Sequence, residues 1–446
     1  MASNERKTKP QQRSARRART NDPNTDKVWP EQVIGAKFVR LLEKQLRDLQ
    51  ADDSAEHGNR KLFLDDVFIV HLLSYFNPTI RSLRTIEDFS KTKQAQKHLS
   101  VRQICKSTLS EFNQLVDPER LAPIIQALRS QLSRKQPQPS TKAFDLNELL
   151  QRTVAVDGTF LHAVSDVAWA VANSNQTGTT RHRARVDAQI NVSTWLPEAI
   201  VVPEPGESES DSAIKRILAD RLYLYDRGYS SFELIGAHYE PLSDKLETLK
   251  AKSQFVIRYK EEGSNSPSLT GAVDRKLTKE DRAAGVTSDR VGYFASDSAR
   301  GAGISQILLR EVIVPYEEKG ELKTLRLITN LLDVSAATIV FLYQQRWQVE
   351  LFFRWFKSIG NFGHLISHCR EGMLTHLYVT IIATLLMYLH TGYRPSKYMF
   401  SMLGLVASGS ATLEEILPIL RERERRQALD RASAARRLAK KKAASK

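Results

Sequence analysis

One uninterrupted stretch, Ala336–Ser358, constrains the fold most. It reads AATIVFLYQQRWQVELFFRWFKS and contains neither glycine nor proline. Ser335 stands just before it, where a hydroxyl can cap the first turn of a helix, and Gly360 stands just after it as a stop signal. Apolar residues occupy most of the helical wheel, which is typical of a buried helix. The sequence therefore predicts one buried helix over 336–358.

Four polar side chains line up along this predicted helix. At about 100° per residue, Tyr343, Arg346, Glu350 and Lys357 fall within a single arc of the wheel, beside an apolar face. The simpler interpretation is an Arg346–Glu350 ion pair at i,i+4, with a core tyrosine and a solvated lysine. The alternative is that the four side chains together form part of a functional site. The rest of the sequence helps to decide between these two interpretations.

The net charge of +15 is concentrated at the two ends of the chain. Residues 1–20 carry seven Lys/Arg and one Glu, net +6, and residues 421–446 carry eleven Lys/Arg and three acids, net +8, which leaves 15 − 14 = +1 for the rest. Basic ends attract polyanions through counterion release and imply no sequence recognition. We expect nucleic acid as the partner, with a merely solubilising tail as the alternative.

The two cysteines, Cys105 and Cys369, form neither a disulfide framework nor a zinc-ligand spacing. The chain starts with polar and basic residues, so we expect no signal peptide. The longest apolar run, Leu377–Leu389, is too short to cross a bilayer and predicts a buried helix. We therefore expect a cytoplasmic protein with no membrane partner.

The pattern of apolar residues changes at Thr153 from helical to alternating. Helices are predicted at 62–76, 83–89, 101–115 and 121–132, and strands at 153–161, 184–192, 198–202, 222–225, 255–259 and 325–331. Three strands, a helix and further strands with helices resemble the ribonuclease-H-like order. We expect an α/β fold with a ribonuclease-H-like core that contains an inserted β-rich subdomain and follows an all-helical N-terminal region.

The domain prediction follows from these patterns. It comprises a disordered basic arm over 1–30, a helical region over 31–135 that we expect to bind the nucleic acid, and an α/β domain over 150–392 with the β-rich insertion at 260–325, which would carry any catalytic site. A helical region with the basic tail covers 393–446.

Three acids are candidates for metal binding. We expect Asp157 to end the first strand and Asp226 to end the fourth, and Glu350 lies on the predicted buried helix. Taken singly, Asp-Gly is a common turn and Asp226-Arg227 a possible local ion pair. Taken together, they suit hard divalent cations such as Mg²⁺, which can hold the attacking and leaving oxygens of a phosphodiester. Arg346 then suits a bidentate phosphate contact.

These residues resemble the Y-R-E-K signature of bacterial insertion-sequence DDE transposases of the insertion-sequence-four family. The signature corresponds to Tyr343, Arg346, Glu350 and Lys357. The segments 157–159 (DGT) and 226–229 (DRGY) are similar to the first and second catalytic segments of that family, and 329–332 (TNLL) also fits. The resemblance covers about 153–390 well and the N-terminal region only loosely.

The resemblance implies a DNA transposase with two Mg²⁺ ions, for which Mn²⁺ can substitute. Asp157 would bridge both ions, and Asp226 and Glu350 would each complete one. Tyr343, Arg346 and Lys357 would hold terminal phosphates or a flipped base. The family implies cleavage at the element ends to a 3′-hydroxyl, a hairpin intermediate, attack on target DNA, and a homodimer on paired ends of double-stranded DNA.

Further candidates are less specific. Arg181, His182, Arg183 and Arg185 form a basic cluster at the second predicted strand, where phosphate contact and a solvated hairpin edge are both open. We predict Trp347 and Trp355 as core residues rather than base wedges. Two other functions stay open: a catalytically silent transposase-derived DNA-binding protein, and a structure-specific nuclease on the same fold.

Overall fold

In the computed structural model, the described residues are 42, 44–49, 62–77, 80, 82–96, 99, 103–115, 117–135, 146–161, 171–174, 180–204, 206–241, 249–260, 267–318, 320–360, 365–367, 369–391, 395–407 and 410–444. The chain divides into two compact units. A helical unit comprises Met1–Pro137 and Trp355–Lys446, and a sheet unit comprises Gln138–Arg354. The predicted domain boundaries stay predictions, and the arm 1–30 lies outside the described residues.

Short helices form the described N-terminal part of the helical unit. They are α1 (Leu64–Phe76), α2 (Leu83–Ser90), α3 (Lys93–Gln96), α4 (Lys106–Leu115) and α5 (Ala122–Lys135). Ser82 caps α2, because its side chain accepts the Thr85 N–H while the Thr85 side chain accepts the Ser82 N–H. Helix α1 is buried on nearly all sides, as its apolar sequence predicts.

The sheet unit alternates strands with short helices. Its elements are α6 (Leu146–Arg152), β1 (Thr153–Leu161), β2 (Val171–Ser174), β3 (Thr180–Asn191), β4 (Pro197–Val201), α7 (Glu209–Ile214), β5 (Leu222–Tyr225), α8 (Phe232–Gly236), β6 (Tyr239–Pro241), β7 (Leu249–Ala251), β8 (Gln254–Tyr259), β9 (Thr270–Asp274), α9 (Lys279–Ala283), β10 (Ser288–Tyr293), α10 (Asp297–Gly301), β11 (Leu309–Glu318), β12 (Glu321–Thr329) and α11 (Ala336–Gln344). The six predicted strands are all found.

A large sheet organises this unit. In the described chain its order is β2-β3-β1-β5-β8-β12-β11-β10-β9, and β4 also pairs with β3. Strand β3 runs antiparallel to both β1 and β4, whereas β5 runs parallel to β1, and β8 runs parallel to β5. A mixed α/β fold with a large sheet core is therefore confirmed.

One face of the sheet carries the hydrophobic core. Alternate residues of β1, β5 and β8 pack there against α7, α8 and α10, among them Val156, Tyr225 and Ile257. Because side chains alternate along a strand, the residues in between face the opposite side. Helix α11 contacts β8, and the site described below lies on this opposite face.

The remaining helices are α12 (Trp347–Ile359), α13 (Arg370–Thr391), α14 (Lys397–Ala407) and α15 (Leu413–Ala444). Helix α13 packs against α1, α4 and α5 within the helical unit. Its segment Arg370–Leu389 has the length and hydropathy of a membrane span, but 89% of the most apolar window is buried inside the protein. The prediction of a buried helix here is confirmed.

Candidate active site

Strand register places two of the predicted acids side by side. Strand β1 pairs with β5 from Thr153–Leu222 to Ala155–Leu224, a constant offset of 222 − 153 = 69 residues. The same offset brings Asp157 level with Asp226, since 226 − 157 = 69, at the point where β5 has just ended. Asp226 therefore lies directly after the end of β5, and Asp157 lies level with it in the middle of β1. Because β1 continues to Leu161, the prediction that Asp157 ends its strand is wrong.

Arg258, which the sequence did not single out, lies level with these two acids on the next strand of the sheet. Strand β8 pairs with β5 at an offset of 254 − 222 = 32 residues, which brings Arg258 level with Asp226. Arg258 Nη1 lies 4.0 Å from Asp226 Oδ1. Its Nη2 donates to the Tyr316 hydroxyl at 2.9 Å, and the guanidinium lies 5.9 Å from the centre of that ring. A polar residue inside the apolar strand FVIRY was the signal that could have revealed it.

The end of α11 and the start of α12 bring the third acid to the first two. The Tyr343 hydroxyl donates to Asp226 Oδ1 at 3.3 Å. Arg346 Nη2 donates to Glu350 Oε1 at 2.7 Å, and Arg346 Nη1 lies 3.7 Å from Asp157 Oδ2. The structure thus connects all three predicted acids through Tyr343 and Arg346.

The prediction of one continuous helix over 336–358 is wrong at residues 345 and 346. Helix α11 ends at Gln344 and α12 begins at Trp347. The backbone N–H groups of Gln345, Arg346, Gln348 and Val349 each bond to the carbonyl three residues earlier. This spacing winds the chain more tightly than an α-helix and changes the directions of the side chains. Periodicity alone cannot predict such a turn, because no glycine or proline marks it.

Buried charges of the β-rich region fix the start of α11. Arg310 is 1% exposed and binds both oxygens of Asp289 at 2.8 and 2.7 Å. Its Nη1 also donates to the carbonyls of Leu331 and Val334 at 3.2 and 2.6 Å. Because this pair is buried and fully hydrogen-bonded, it holds the loop that leads into α11.

Two further contacts complete the cap of α11. The Ala337 N–H donates to Asp281 Oδ1 at 2.8 Å, and the Thr338 N–H donates to the Ser335 hydroxyl at 3.1 Å. Ser335 is therefore the N-cap, as predicted.

The surroundings of the Asp157 carboxyl disfavour its ionised form. Burial raises its pKa from 3.8 to about 7, the Arg346 guanidinium opposes this rise, and the carboxylates of Glu209 and Asp226 add to it. Its side chain is 23% exposed, compared with 39% for Asp226 and 30% for Glu350. Arg346 alone does not compensate the gathered negative charge, so the site favours a further cation.

Carboxylates are the ligands that Mg²⁺ prefers, so the chemistry of the donor set fits this ion. In the described part of the chain, no three His, Cys, Asp or Glu residues are placed closely enough to hold a metal ion as they stand. The Arg346 guanidinium, which lies between Glu350 and Asp157, supplies positive charge there.

The other predicted DNA contacts are placed less directly. Arg185 forms a bidentate pair with Asp187, at 2.9 and 3.1 Å, and its side chain is 12% exposed. The side chain of Arg183 lies outside the described residues. Lys357 is exposed on α12 in the helical unit. Phosphate contacts by all three stay predictions.

The two tryptophans of α12 differ from each other. Trp347, directly after Arg346, is 49% exposed, so its prediction as a core residue is wrong. It sits at the tight turn, where the wheel of a continuous helix no longer applies. Trp355 is half-buried, and its Nε1 donates to the Pro395 carbonyl.

Comparison with known proteins identifies the family. The family model described as "Transposase DDE domain" matches residues 148–386, more than half of the chain. The chain is 40% identical over 65 residues to the probable transposase for insertion sequence element IS5377 of Geobacillus stearothermophilus, which is 15% of this chain and 17% of that protein. The chain thus matches less than a fifth of that relative's length.

A second relative and one solved structure are more distant. The putative transposase for insertion sequence element IS4SA of Synechocystis sp. is 22% identical over 284 residues, which cover 63% of this chain and 70% of that protein. The cryo-EM structure of a piggyBac transposase synaptic complex with hairpin DNA aligns with 88% of this chain and 83% of its own, at 12% identity and a TM-score of 0.37. The family match confirms the DDE transposase class expected from the sequence: the chain belongs to the family described as "Transposase DDE domain".

Proposed function

We propose that this chain is a metal-dependent DNA transposase that hydrolyses a phosphodiester at the ends of an insertion element and transfers the freed strand to target DNA. The observation that carries the proposal is the placement of Asp157, Asp226 and Glu350 around the side chains of Tyr343 and Arg346. The first two are level on parallel strands, and the third is connected to them through Arg346. Membership of the transposase DDE domain family supports the same activity.

A ribonuclease-H-like core is part of this proposal. The strand sequence β4-β3-β1-β5-β8, with the first three antiparallel and the last two parallel to β1, supports it. In this interpretation β9 to β11 belong to the inserted β-rich subdomain over 260–325, β12 returns to the main sheet beside β8, and the helical N-terminal region binds DNA.

Asp157, Asp226 and Glu350 would hold the metal ions. When bound, a pair of Mg²⁺ ions activates the attacking oxygen and stabilises the leaving oxygen of a phosphodiester. Two ions, the bridging role of Asp157 and replacement by Mn²⁺ remain parts of the proposal. The raised pKa of Asp157 supports it, because a carboxylate that is costly to ionise alone gains most from a nearby cation.

Arg346 has two alternative partners in this mechanism. In the structure without DNA, its guanidinium donates to Glu350 and lies 3.7 Å from Asp157. The same group matches the oxygens of a phosphate in a bidentate contact. We propose that Arg346 turns from the acids to the substrate phosphate once cations and DNA are bound, which leaves Glu350 free to act as a ligand.

Three further side chains would orient the DNA. Burial raises the pKa of Tyr343 above its ordinary value, so the hydroxyl stays protonated and can donate to Asp226 or to a phosphate. Arg258 presents its guanidinium beside Asp226 on the same row. Trp347 offers an exposed ring that can stack on an unpaired base, which a hairpin intermediate would require.

Cleavage of labelled DNA tests the proposal. Inverted repeats that flank the coding region supply the substrate, with Mg²⁺ or Mn²⁺ added. Asp157→Ala, Asp226→Ala and Glu350→Ala should each abolish cleavage while binding of the ends survives. Asp297→Ala is the control, because the Asp297 side chain is 95% exposed.

Two outcomes would contradict the proposal. Normal cleavage by Glu350→Ala would remove the third acid from the site. Cleavage without any joining to target DNA would favour a nuclease. Formation of dimers on paired ends should be visible by gel filtration of the protein–DNA complex, and a 1:1 complex active in joining would contradict the expected homodimer.

A further inference from the structure

Another carboxylate lies behind the row of acids. Both catalytic segments place a glycine soon after the aspartate: Gly158 follows Asp157, and Gly228 follows Asp226 by two residues. A Cβ atom at Gly158 would lie 2.8 Å from Glu209 Oε1, and one at Gly228 would lie 3.6 Å from Glu209 Oε2. One oxygen of Glu209 therefore faces each glycine.

Space, rather than backbone conformation, explains the glycine at 158. Neither Gly158 nor Gly228 has a positive φ angle, so their backbones suit any residue. A Cβ atom at Gly158 would also meet Asp187 Oδ1 at 3.0 Å. At position 158, therefore, the side chain is missing because the carboxylates of Glu209 and Asp187 occupy its place.

The position of Glu209 is well defined. It is the first residue of α7, and Ser208 caps this helix by accepting the Asp211 N–H at 3.0 Å. Ala213, on the same helix, belongs to the hydrophobic core. The carboxylate is thus held by a capped helix that packs on the sheet.

The charge of Glu209 reaches both aspartates. Burial raises the pKa of Glu209 above its ordinary value, and Asp187 and then Asp226 contribute to the rise, while Arg185 opposes it. Glu209 in turn raises the pKa of Asp157. Arg185 is already paired with both oxygens of Asp187, so it does not cancel the charge of Glu209.

We infer that Glu209 is a positioning residue of the metal site: its carboxylate, seated against Gly158 and Gly228, adds an outer negative charge that increases cation affinity without touching the cation. This inference rests on the proposed function.

Binding of Mn²⁺ to the full-length protein, measured by calorimetry at pH 8, tests this role. Glu209→Gln keeps the shape of the side chain and removes its charge. A unit charge about 10 Å from a dication changes affinity roughly fourfold in water-like surroundings, and more at lower dielectric. We expect a loss of this size for Glu209→Gln and none for Glu233→Gln, an exposed acid in the same unit. Equal affinity for both variants would overturn the inference.

Cleavage separates a positioning role from direct ligation. For Glu209→Gln, the metal concentration at half-maximal rate should rise about as much as the affinity falls, while the rate at saturating metal stays at the wild-type level. A rate that excess metal does not restore would overturn the inference and make Glu209 a ligand. A wild-type protein that neither binds Mn²⁺ nor cleaves DNA would instead contradict the proposed function.

If Glu209→Gln does not fold, the same contact can be tested from the other side, by substituting the glycines that Glu209 faces. Gly158→Ala places a methyl group against the Glu209 carboxylate, whereas Gly228→Ala makes only an ordinary contact at 3.6 Å. Mn²⁺ affinity should fall in Gly158→Ala and stay unchanged in Gly228→Ala. Unchanged affinity in both would contradict the proposed seat.

Discussion

Replacing Asp157 by asparagine should stabilise the metal-free protein at pH 8 while it abolishes cleavage. The side chain is largely buried, and its pKa is raised from 3.8 to about 7. The folded protein therefore holds a proton on this carboxyl more tightly than the unfolded chain does. The stability that this gives is fully present below pH 4 and is lost as the pH rises through 7.

The size of the effect follows from the shift. Each pKa unit corresponds to 1.36 kcal/mol, so a shift from 3.8 to about 7 corresponds to at most about 4 kcal/mol above pH 7. Asparagine cannot ionise and avoids this cost. The attraction of Arg346, whose Nη1 lies 3.7 Å from Asp157 Oδ2, is already contained in the pKa of about 7, so the loss of this ion pair in the asparagine variant does not reduce the gain further. At pH 5, which is 1.2 units above 3.8, roughly 1.6 kcal/mol of this cost is already present, so we expect a stabilisation on the order of 1–2 kcal/mol at pH 5 that rises to about 3–4 kcal/mol at pH 8.

Thermal unfolding in the presence of a chelator measures this. Midpoints are compared at pH 5 and pH 8 for the wild type, Asp157→Asn and Asp297→Asn, where the last changes a 95% exposed carboxylate. The advantage of Asp157→Asn should grow from pH 5 to pH 8, and added Mg²⁺ should stabilise only the proteins that keep Asp157. A variant that is less stable than the wild type at pH 8, or equally affected at both pH values, would refute the reasoning.

Other changes test the remaining features. Arg310→Met leaves the buried Asp289 charge with only the distant Arg275 Nε at 3.9 Å, so it should lower the free energy of unfolding by as much as about 3–5 kcal/mol. Arg310→Met with Asp289→Leu should recover most of this in urea titrations, and no recovery would mean that the contacts to the α11 loop dominate. Arg258→Ala should weaken cleavage at least tenfold with unchanged thermal stability, whereas Arg258→Lys should be intermediate; equal activity would exclude a phosphate contact. Trp347→Ala should leave stability within about 1 kcal/mol, because the ring is half exposed, yet reduce hairpin formation. Deleting 427–446 should flatten the salt dependence of DNA binding, and an unchanged slope would exclude the basic tail from that interface.

Much of the sheet and of the site followed from local patterns. Alternating apolar residues located the strands with Asp157 and Asp226, and the polar residues of the 336–358 stretch pointed to Glu350. The tight turn at Arg346 could not be predicted, because one irregular turn hardly changes the apolar periodicity of a stretch of this length. The exposure of Trp347 depends on that turn and was missed with it.

Arg258 and Glu209 were missed for a different reason. Each is one polar residue within an ordinary local pattern, a strand for Arg258 and a first helical turn for Glu209. Their relation to the acids arises from pairings between segments that are far apart in the chain, for which one sequence holds no signal. Arg185 shows the converse, because a basic cluster in the sequence does not reveal that Asp187 neutralises one of its members.

Because β1 and β5 are aligned in register, inserting residues between the two strands and inserting residues inside a strand have different consequences for the site. Residues added between these strands, for example around 203–208, leave Asp157 and Asp226 level, because strand pairing alone sets their height. One residue added inside β1 before Asp157 would instead turn its carboxylate towards the core face and bring a neighbour into its place. The separation of the two acids along the chain can therefore drift in evolution, while the number of residues inside each strand is held constant.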